Sequence, residues 1–413
     1  MGGTAFSTGY NGSAILRTPR MPPEIYAYLK QKYCKRLKEC FEHVDCPQEA
    51  PGKLDYGDID VVVSSPLSSV MDYAGLATVL PVPNPSVQEY WQDKHQEANY
   101  AVRWPLFRGF YYSTKQALRH LFQGSVRQAW RNILLAFERP WAQIDVTISE
   151  PEQFAWRVFQ KSHGDALPIL GAGTKGSGLT QGPSGLLLRI EEIERRAQNE
   201  CKILLSTSPE DAMDFLGLNR GRYAQGFTRE DEIFAWVASS RFFDRSMFAT
   251  AETPRKRNRR GMFLRFVDEW LPANPSAGRA GTMTRSEICE AALDHFDKRA
   301  EFDARLSFWQ CKFREDDLWT AIDAFLRQPR AVEHLSDARR NETIRALKRF
   351  VKFQGISPVV RQAAEMNESQ QSRWSDVIDQ NDLAAMQKML QWVDANWEMI
   401  RLKERDRVRG RGA

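Results

Sequence analysis

The chain contains 413 residues, of which 42% are hydrophobic and 27% are charged, and its formal net charge is +5. This length exceeds what one hydrophobic core normally serves, and the composition excludes a chain that is disordered throughout. No segment approaches the roughly 18 consecutive apolar residues of a membrane-spanning helix, so we expect a cytoplasmic or nuclear protein without membrane contact. The six cysteines include no CxxC pair, which predicts reduced thiols rather than a disulfide framework or a zinc ribbon.

The N-terminal part of the chain is predicted to contain one amphipathic helix and two strands. The helix follows Pro22-Pro23 and ends before Cys46, because apolar residues recur there every four positions. These residues are Ile25, Leu29, Tyr33, Leu37 and Phe41. The β-branched run over 56–63 and the alternating stretch over 143–148 each predict a strand. The eighty residues between them show helical patches.

Beyond Pro151 the sequence predicts a mostly helical chain that is interrupted by the glycine-rich stretch 171–178. The Pro/Gly/Ser segment 271–281 is the best domain boundary, and the chain after it is predicted to be helical to its end. The last helix carries apolar residues at steps of three and four, which predicts one apolar face packed within a C-terminal domain. These residues are Leu383, Met386, Leu390, Val393, Trp397 and Ile400.

Three aspartates occur where two strands can present them together. Alternate side chains of a strand share a face, so Asp58 and Asp60 project to one side while Ile59 faces the other. Asp145 has the same phase in the second predicted strand. If the strands are neighbours, about 4.8 Å apart, the three carboxylates can bracket two magnesium ions, which prefer oxygen ligands. Such a site suits a nucleoside triphosphate and an in-line displacement that expels pyrophosphate.

These residues resemble the DNA polymerase β-like nucleotidyltransferase superfamily, whose pattern is a glycine turn, an Asp-x-Asp strand and a third aspartate on a later strand. The matching segments are Gly2-Gly3, Gly57-Asp58-Ile59-Asp60 and Gln143-Ile144-Asp145. Segments 18–23, 56–60 and 162–179 also look like uncharacterised fungal and phage members, and the resemblance covers roughly the first 245 residues.

The resemblance implies an α/β (α+β) nucleotidyltransferase fold, in which a mixed sheet is flanked by helices and followed by a mostly helical C-terminal region. We therefore predict a catalytic domain over 1–205, a helical extension with a basic cluster and linker over 206–275, and a helical domain with a basic tail over 276–413. The implied cofactor is Mg²⁺, as two ions held by Asp58, Asp60 and Asp145, with Mn²⁺ as an alternative.

The implied phosphate-binding residues are glycines, because a residue without a Cβ lets backbone amides approach the phosphates. Gly2, Gly3 and Gly57 are the candidates, and Gly12-Ser13 is a second candidate for the turn. Four further residues are weaker candidates for nucleotide contacts: Lys161, His163, Lys175 and Arg189. Their ordinary interpretations are a solvated helix face for the basic residues, a buttressed turn for the histidine and a flexible loop around Lys175.

The sequence thus predicts a metal-dependent nucleotidyltransferase that transfers NMP from an NTP to a hydroxyl acceptor, which is an RNA, a protein or a small molecule. The alternative is a catalytically inactive copy of the fold that binds RNA or a protein partner. Basic segments favour a nucleic-acid contact in either case, and they comprise the cluster Arg255–Arg260 and the C-terminal tail from Arg401. A solvated loop and a frayed tail are the simpler interpretations of these two segments.

Overall fold

The computed structural model describes residues 5–6, 16–68, 71–80, 88–89, 97–105, 140–248, 261–278, 283–328, 336–354, 357–361, 374–378 and 382–410, with isolated positions between 114 and 126. They form two compact units, Met1–Glu191 with Asn199–Arg299 and Glu192–Gln198 with Ala300–Ala413. The predicted division at 205 and 275 stays a prediction. In the part of the chain that is described, no helix is both long enough and apolar enough to cross a membrane.

A five-stranded mixed sheet forms the N-terminal half of the first unit, which confirms the predicted sheet type. Its strands are β1 Phe41–Asp45, β2 Asp58–Pro66, β3 Gln88–Glu89, β4 Glu97–Arg103 and β5 Trp141–Ser149. The spatial order is β1-β2-β5-β4-β3. β2 and β5 run parallel, and every other neighbouring pair is antiparallel. The strands predicted over 56–63 and 143–148 are therefore β2 and β5, whereas β1, β3 and β4 were not predicted.

Helix α1, Pro23–Leu37, packs on the apolar face of this sheet. Its buried stripe meets alternate residues of the strands, among them Ile59, Val61, Tyr100 and Ile144. The predicted helix is wrong in its last turn, because α1 ends at Leu37 and Phe41 begins β1. Phe41 is nevertheless buried in the same core, so its spacing from Leu37 reflects burial and not helical continuity. The short helix α2 follows at Tyr73–Val79.

The rest of the first unit combines helices with a second sheet, so the prediction of a mostly helical chain after Pro151 is wrong over 179–206. Strands β6 Leu179–Gly182, β7 Gly185–Arg189 and β8 Lys202–Ser206 form an antiparallel sheet. Leucines, which have high helix propensity, alternate there with Ile203 between buried and half-buried positions, and this period of two is that of a strand. The helices of this part and of the connection to the second unit are α3 Phe154–Lys161, α4 Ala166–Gly173, α5 Glu191–Glu194, α6 Pro209–Leu216, α7 Arg220–Gln225, α8 Glu230–Ala238, α9 Gly261–Arg265, a π-helix Phe266–Trp270, α10 Leu271–Ala273 and α11 Arg285–His295.

The second unit is built mainly from α12 Arg299–Arg327, α13 Asp337–Phe350 and α14 Leu383–Gly410. A hairpin, β9 Val351–Gln354 with β10 Ser357–Val360, interrupts the helices that were predicted to continue to the end. The predicted apolar face of the last helix is confirmed within this unit, because Val393 and Ile400 are buried in its core and Met386, Leu390 and Trp397 pack against it.

The Cys34 side chain of α1 lies beside that of Cys46 in the segment after β1, and their Cα atoms are 7.5 Å apart. This separation exceeds the roughly 7 Å that a disulfide spans, so the expectation of reduced thiols stays a prediction for this pair. Cys40, Cys201, Cys289 and Cys311 form no disulfide among the described residues.

Candidate active site

Three neighbouring strands bring carboxylates together on the face of the sheet opposite α1. The register of the parallel pair places Asp60 of β2 directly beside Asp145 of β5. On the other side of β5, Asn99 of β4 lies beside Asp145, and Glu97 precedes it by two residues on the same face. Ligand oxygens of Asp60, Glu97 and Asp145 all lie within 4.8 Å of one another.

The alternation of the strands explains why these polar side chains are not in the core. Ile59 and Val61 of β2 and Ile144 of β5 are completely buried against α1. The residues between them point to the other face, where Asp60 is half-buried and Asp145 is only 9% exposed. A hydrophobic face thus holds the sheet to its helix and leaves the opposite face for chemistry.

Asp58 lies on the same face as Asp60 and stands beside Gln143 in the register of β2 and β5. The three-carboxylate group described above does not include it. Its negative charge nevertheless acts on the group, because it is one of the charges that raise the pKa of Asp145. The structure therefore brings the three predicted aspartates into one electrostatic neighbourhood.

Asp145 is the most strongly perturbed member of the group. Burial raises its pKa well above the ordinary range of a carboxyl group, and the charges of Asp60 and Asp58 raise it further. Gln143 opposes this effect, since its side-chain N–H donates a 2.8 Å hydrogen bond to Asp145 Oδ1. The carbonyl oxygen of the Gln143 side chain accepts a 3.0 Å bond from the backbone N–H of Ala5. Gln143 thus orients the carboxylate and connects it to the N-terminal segment.

Lys161, at the end of α3, supplies positive charge to this face. Its Nζ donates to Asp60 Oδ1 at 2.9 Å and to Glu97 Oε1 at 2.8 Å. Burial opposes the charge of the ammonium group, but Asp60 and Glu97 outweigh that effect and raise the pKa of Lys161. The lysine is therefore charged, and its side chain contacts the carboxylates of the site, whereas its ordinary interpretation placed it on a solvated helix face.

Glu97 is the member of the site that the sequence prediction missed. The segment Glu97-Ala98-Asn99-Tyr100 alternates between half-buried polar and buried apolar residues, so a period-two pattern was present. The helical patches predicted between β2 and β5 are wrong at this strand, and for that reason the prediction does not include Glu97. Only the strand order shows that Glu97 adjoins Asp145.

Of the glycines predicted to bind phosphate, only Gly57 lies among the described residues. Gly2-Gly3 and Gly12-Ser13 lie outside the described residues, so the glycine turn stays a prediction. Gly57 is buried just before β2, and the preceding residue is held by a bridge in which Met21 N donates to Tyr56 O at 2.6 Å. This bridge fixes the entry of the chain into the acidic strand.

Lys175 and Arg189 are paired with each other. Lys175 is exposed in a 3₁₀ turn, Lys175–Ser177, and the Arg189 guanidinium at the end of β7 donates to its backbone carbonyl. The turn follows directly after α4, so the glycine-rich stretch 171–178 is partly helical and not the predicted flexible loop. A role for either side chain in phosphate binding stays a prediction.

His163 lies two residues beyond Lys161 inside an aromatic cluster. Its ring meets Tyr223 and Phe227 edge-on, with ring centroids 5.1 and 4.9 Å away. The residue is 2% exposed, and neither ring nitrogen has a hydrogen-bond partner among the described residues. Burial lowers the pKa of His163 to about 4, so the ring is neutral near pH 7. These contacts are those of a packed side chain that shapes the turn after α3.

Comparisons with known proteins add little to this geometry. No protein-family model and no curated protein matches the chain. Among solved structures, the chain is similar to the ternary gap complex of Leishmania infantum polymerase beta, with 11% identity and a TM-score of 0.26. The match covers 58% of this chain and 71% of that one. A similarity of this size carries no argument about activity.

Proposed function

We propose that this chain is a metal-dependent nucleotidyltransferase that moves NMP from an NTP to a hydroxyl acceptor and releases pyrophosphate. One observation supports this proposal above all others. Asp60 and Asp145 stand side by side on parallel strands, and Glu97 completes a group of carboxylate oxygens within 4.8 Å. This group shares Asp60 and Asp145 with the predicted set, whereas Asp58 lies outside it.

The donor set fits Mg²⁺, or Mn²⁺ as an alternative. All of the candidate ligand atoms are carboxylate oxygens, which are the donors that these hard cations prefer. Asp145 is almost completely buried beside two other acidic side chains, and such an arrangement is costly unless a cation compensates it. When bound, the metal would supply positive charge to the triphosphate and to the attacking oxygen.

The chain's own residues have distinct roles in this proposal. Asp58 and Asp60 face the triphosphate from β2, and Asp145 faces the reacting α-phosphate from β5. The acceptor oxygen forms a bond to the α-phosphorus, and the bond between that phosphorus and the oxygen that bridges the α- and β-phosphates breaks. Pyrophosphate leaves with the electron pair, and the proton of the acceptor hydroxyl passes to a carboxylate of the site and then to water.

The proposal is tested by thermal melting of the full chain with each NTP, with and without Mg²⁺. A ligand that binds only the folded protein stabilises it by about 2.7 kcal/mol at a hundred times its Kd, so the midpoint should rise with NTP only when Mg²⁺ is present. Asp60→Asn should lose this rise. Asp303→Asn is the matched control, because Asp303 is exposed on α12. No rise with any NTP would contradict the proposal.

A catalytically inactive copy of the fold is the second candidate, and one observation favours it. The ammonium group of Lys161 already forms ion pairs with Asp60 and Glu97, two of the three residues that could hold a metal ion. We propose that such a protein would contact RNA or a protein partner through its basic segments. Arg255–Arg260 lies outside the described residues. In the tail, Arg401 is paired with Glu342 and Arg407 with Glu404, which leaves less free charge for phosphates.

A further inference from the structure

Lys161 occupies a place on the sheet where a cation would be expected. Its Nζ lies 2.9 Å from Asp60 Oδ1 and 2.8 Å from Glu97 Oε1, distances typical of charge-assisted hydrogen bonds. Asp60 and Glu97 are two of the three residues whose ligand oxygens could surround one ion. The lysine and a metal ion would therefore use the same two carboxylates.

The other side of the group has a different partner. Asp145 Oδ1 accepts its hydrogen bond from the side chain of Gln143. Along the strands, Asp58 and Glu97 lie on opposite sides of Asp145, and the negative charge of Asp58 raises the pKa of Asp145. The face thus has two acidic regions. One region, Asp60 with Glu97, holds the ammonium group of Lys161, and the other consists of Asp58 and Asp145.

The backbone that carries Lys161 is fixed independently of these carboxylates. Trp156 is buried and its indole N–H donates to Gly182 O at 2.7 Å. Directly after the lysine, Ser162 Oγ accepts from Gln48 N at 3.1 Å, and His163 N donates to Gln48 O at 2.6 Å. Because α3 is anchored at these points, the four-carbon stem of Lys161 can leave the carboxylates without movement of the helix.

We propose that Lys161 is a tethered cation that takes the place of one divalent ion in the nucleotide-free protein, an inference that rests on the proposed function. The nucleotide-free chain then binds one divalent ion, toward Asp58 and Asp145. A second ion binds between Asp60 and Glu97 only when the ammonium group leaves them. Lys161 is a positioning residue in this scheme, because it controls occupancy of the site by competing for its ligands.

The test is Mn²⁺ binding to the full, nucleotide-free chain, measured from the electron paramagnetic resonance signal of free Mn²⁺. We expect the parent protein to bind one ion. Lys161→Met, which removes the charge but keeps an unbranched stem, should bind a second ion at least about tenfold more tightly than the parent does. Lys161→Arg keeps a cation and should resemble the parent. Lys202→Met is the matched control, since Lys202 is exposed on β8.

Melting in the absence of nucleotide gives an independent readout. Lys161→Met leaves Asp60 and Glu97 without their cation, so the melting midpoint of the variant without metal should be lower than that of the parent. Addition of Mn²⁺ should then raise the midpoint of the variant more than it raises that of the parent. A lysine with a merely structural role would lower the midpoint with and without Mn²⁺ alike.

Each result decides between the two claims. Two ions on the parent, or unchanged Mn²⁺ binding by Lys161→Met, would overturn this inference and leave the nucleotidyltransferase proposal standing. Absence of Mn²⁺ from the parent and from every variant would overturn this inference, and melting with NTP and Mg²⁺ would then decide the nucleotidyltransferase proposal separately. A second ion on Lys161→Met that is absent from Lys161→Arg is the result that supports the tethered cation.

Discussion

Replacement of His163 by asparagine should remove one component of the acid sensitivity of the first unit. The neutral imidazole is packed edge-on against Tyr223 and Phe227, where a charged ring would have no hydrogen-bond partner among the described residues. His163 has a φ of +60°, a conformation that asparagine tolerates better than most residues. The variant therefore removes the titrating group and keeps a compatible backbone.

The expected size of the effect follows from the two pKa values of His163. Burial lowers the pKa in the folded protein to about 4, from an ordinary value of 6.5. The unfolded chain therefore takes up the proton first as the pH falls, so the stabilisation is complete above about pH 6.5 and is lost between about 6.5 and 4. The loss is about 2 kcal/mol at pH 5 and about 3 kcal/mol when complete.

Urea unfolding at pH 7.5 and pH 5 measures this loss for the parent and the variant. The parent's free energy of unfolding should fall by about 2 kcal/mol more than that of His163→Asn between these two pH values. The difference between proteins cancels the contribution of other titrating groups. His43→Asn is the control, because His43 is exposed on β1, and it should retain the parent's pH dependence. Equal pH dependence of parent and His163→Asn would refute the reasoning.

Three further predictions concern the carboxylates. Asp145→Asn should raise the melting midpoint measured without metal, because it removes a buried charge beside Asp60 and Asp58. The same variant should lose the rise of the midpoint that NTP and Mg²⁺ cause in the parent. A lower midpoint without metal would contradict this prediction. Gln143→Leu removes the hydrogen bond that orients Asp145 and should weaken Mn²⁺ binding about 10- to 100-fold in titration calorimetry, whereas unchanged affinity would show that the bond is dispensable. In Lys161→Met, whose second Mn²⁺ ion is expected between Asp60 and Glu97, the added change Glu97→Gln should weaken binding of that second ion by at least about tenfold in the same titration, and unchanged affinity would remove Glu97 from the ligand set.

The sequence predicted those parts of the site that depend on local pattern. Asp58 and Asp60 alternate with Ile59 in a β-branched run, and Asp145 alternates with Ile144, so each strand and the face of each aspartate followed from a period of two. The adjacency of β2 and β5 was only a condition of that prediction. Pairing of two strands about eighty residues apart is set by the packing of the whole sheet and has no local signal.

The remaining members of the site depend on contacts between distant segments. Lys161 lies 101 residues from Asp60 and 64 from Glu97, and nothing in the helix α3 distinguishes this lysine from a solvated one. Glu97 belongs to a strand whose alternation is short and preceded by a long stretch without a clear pattern. Burial of His163 was hidden for a related reason, because Tyr223 and Phe227 come from a segment sixty residues further along the chain.

Transfer of label from NTPs is the most direct test of the central claim. The full chain is incubated with Mg²⁺ and each NTP, labelled at either the α- or the γ-phosphate, together with RNA, protein or small-metabolite fractions as acceptors. We predict that α-label, and not γ-label, becomes attached to one fraction, and that Asp60→Asn loses the transfer while Asp303→Asn keeps it. Attachment of γ-label, or absence of label from every fraction, would contradict nucleotidyl transfer by this chain.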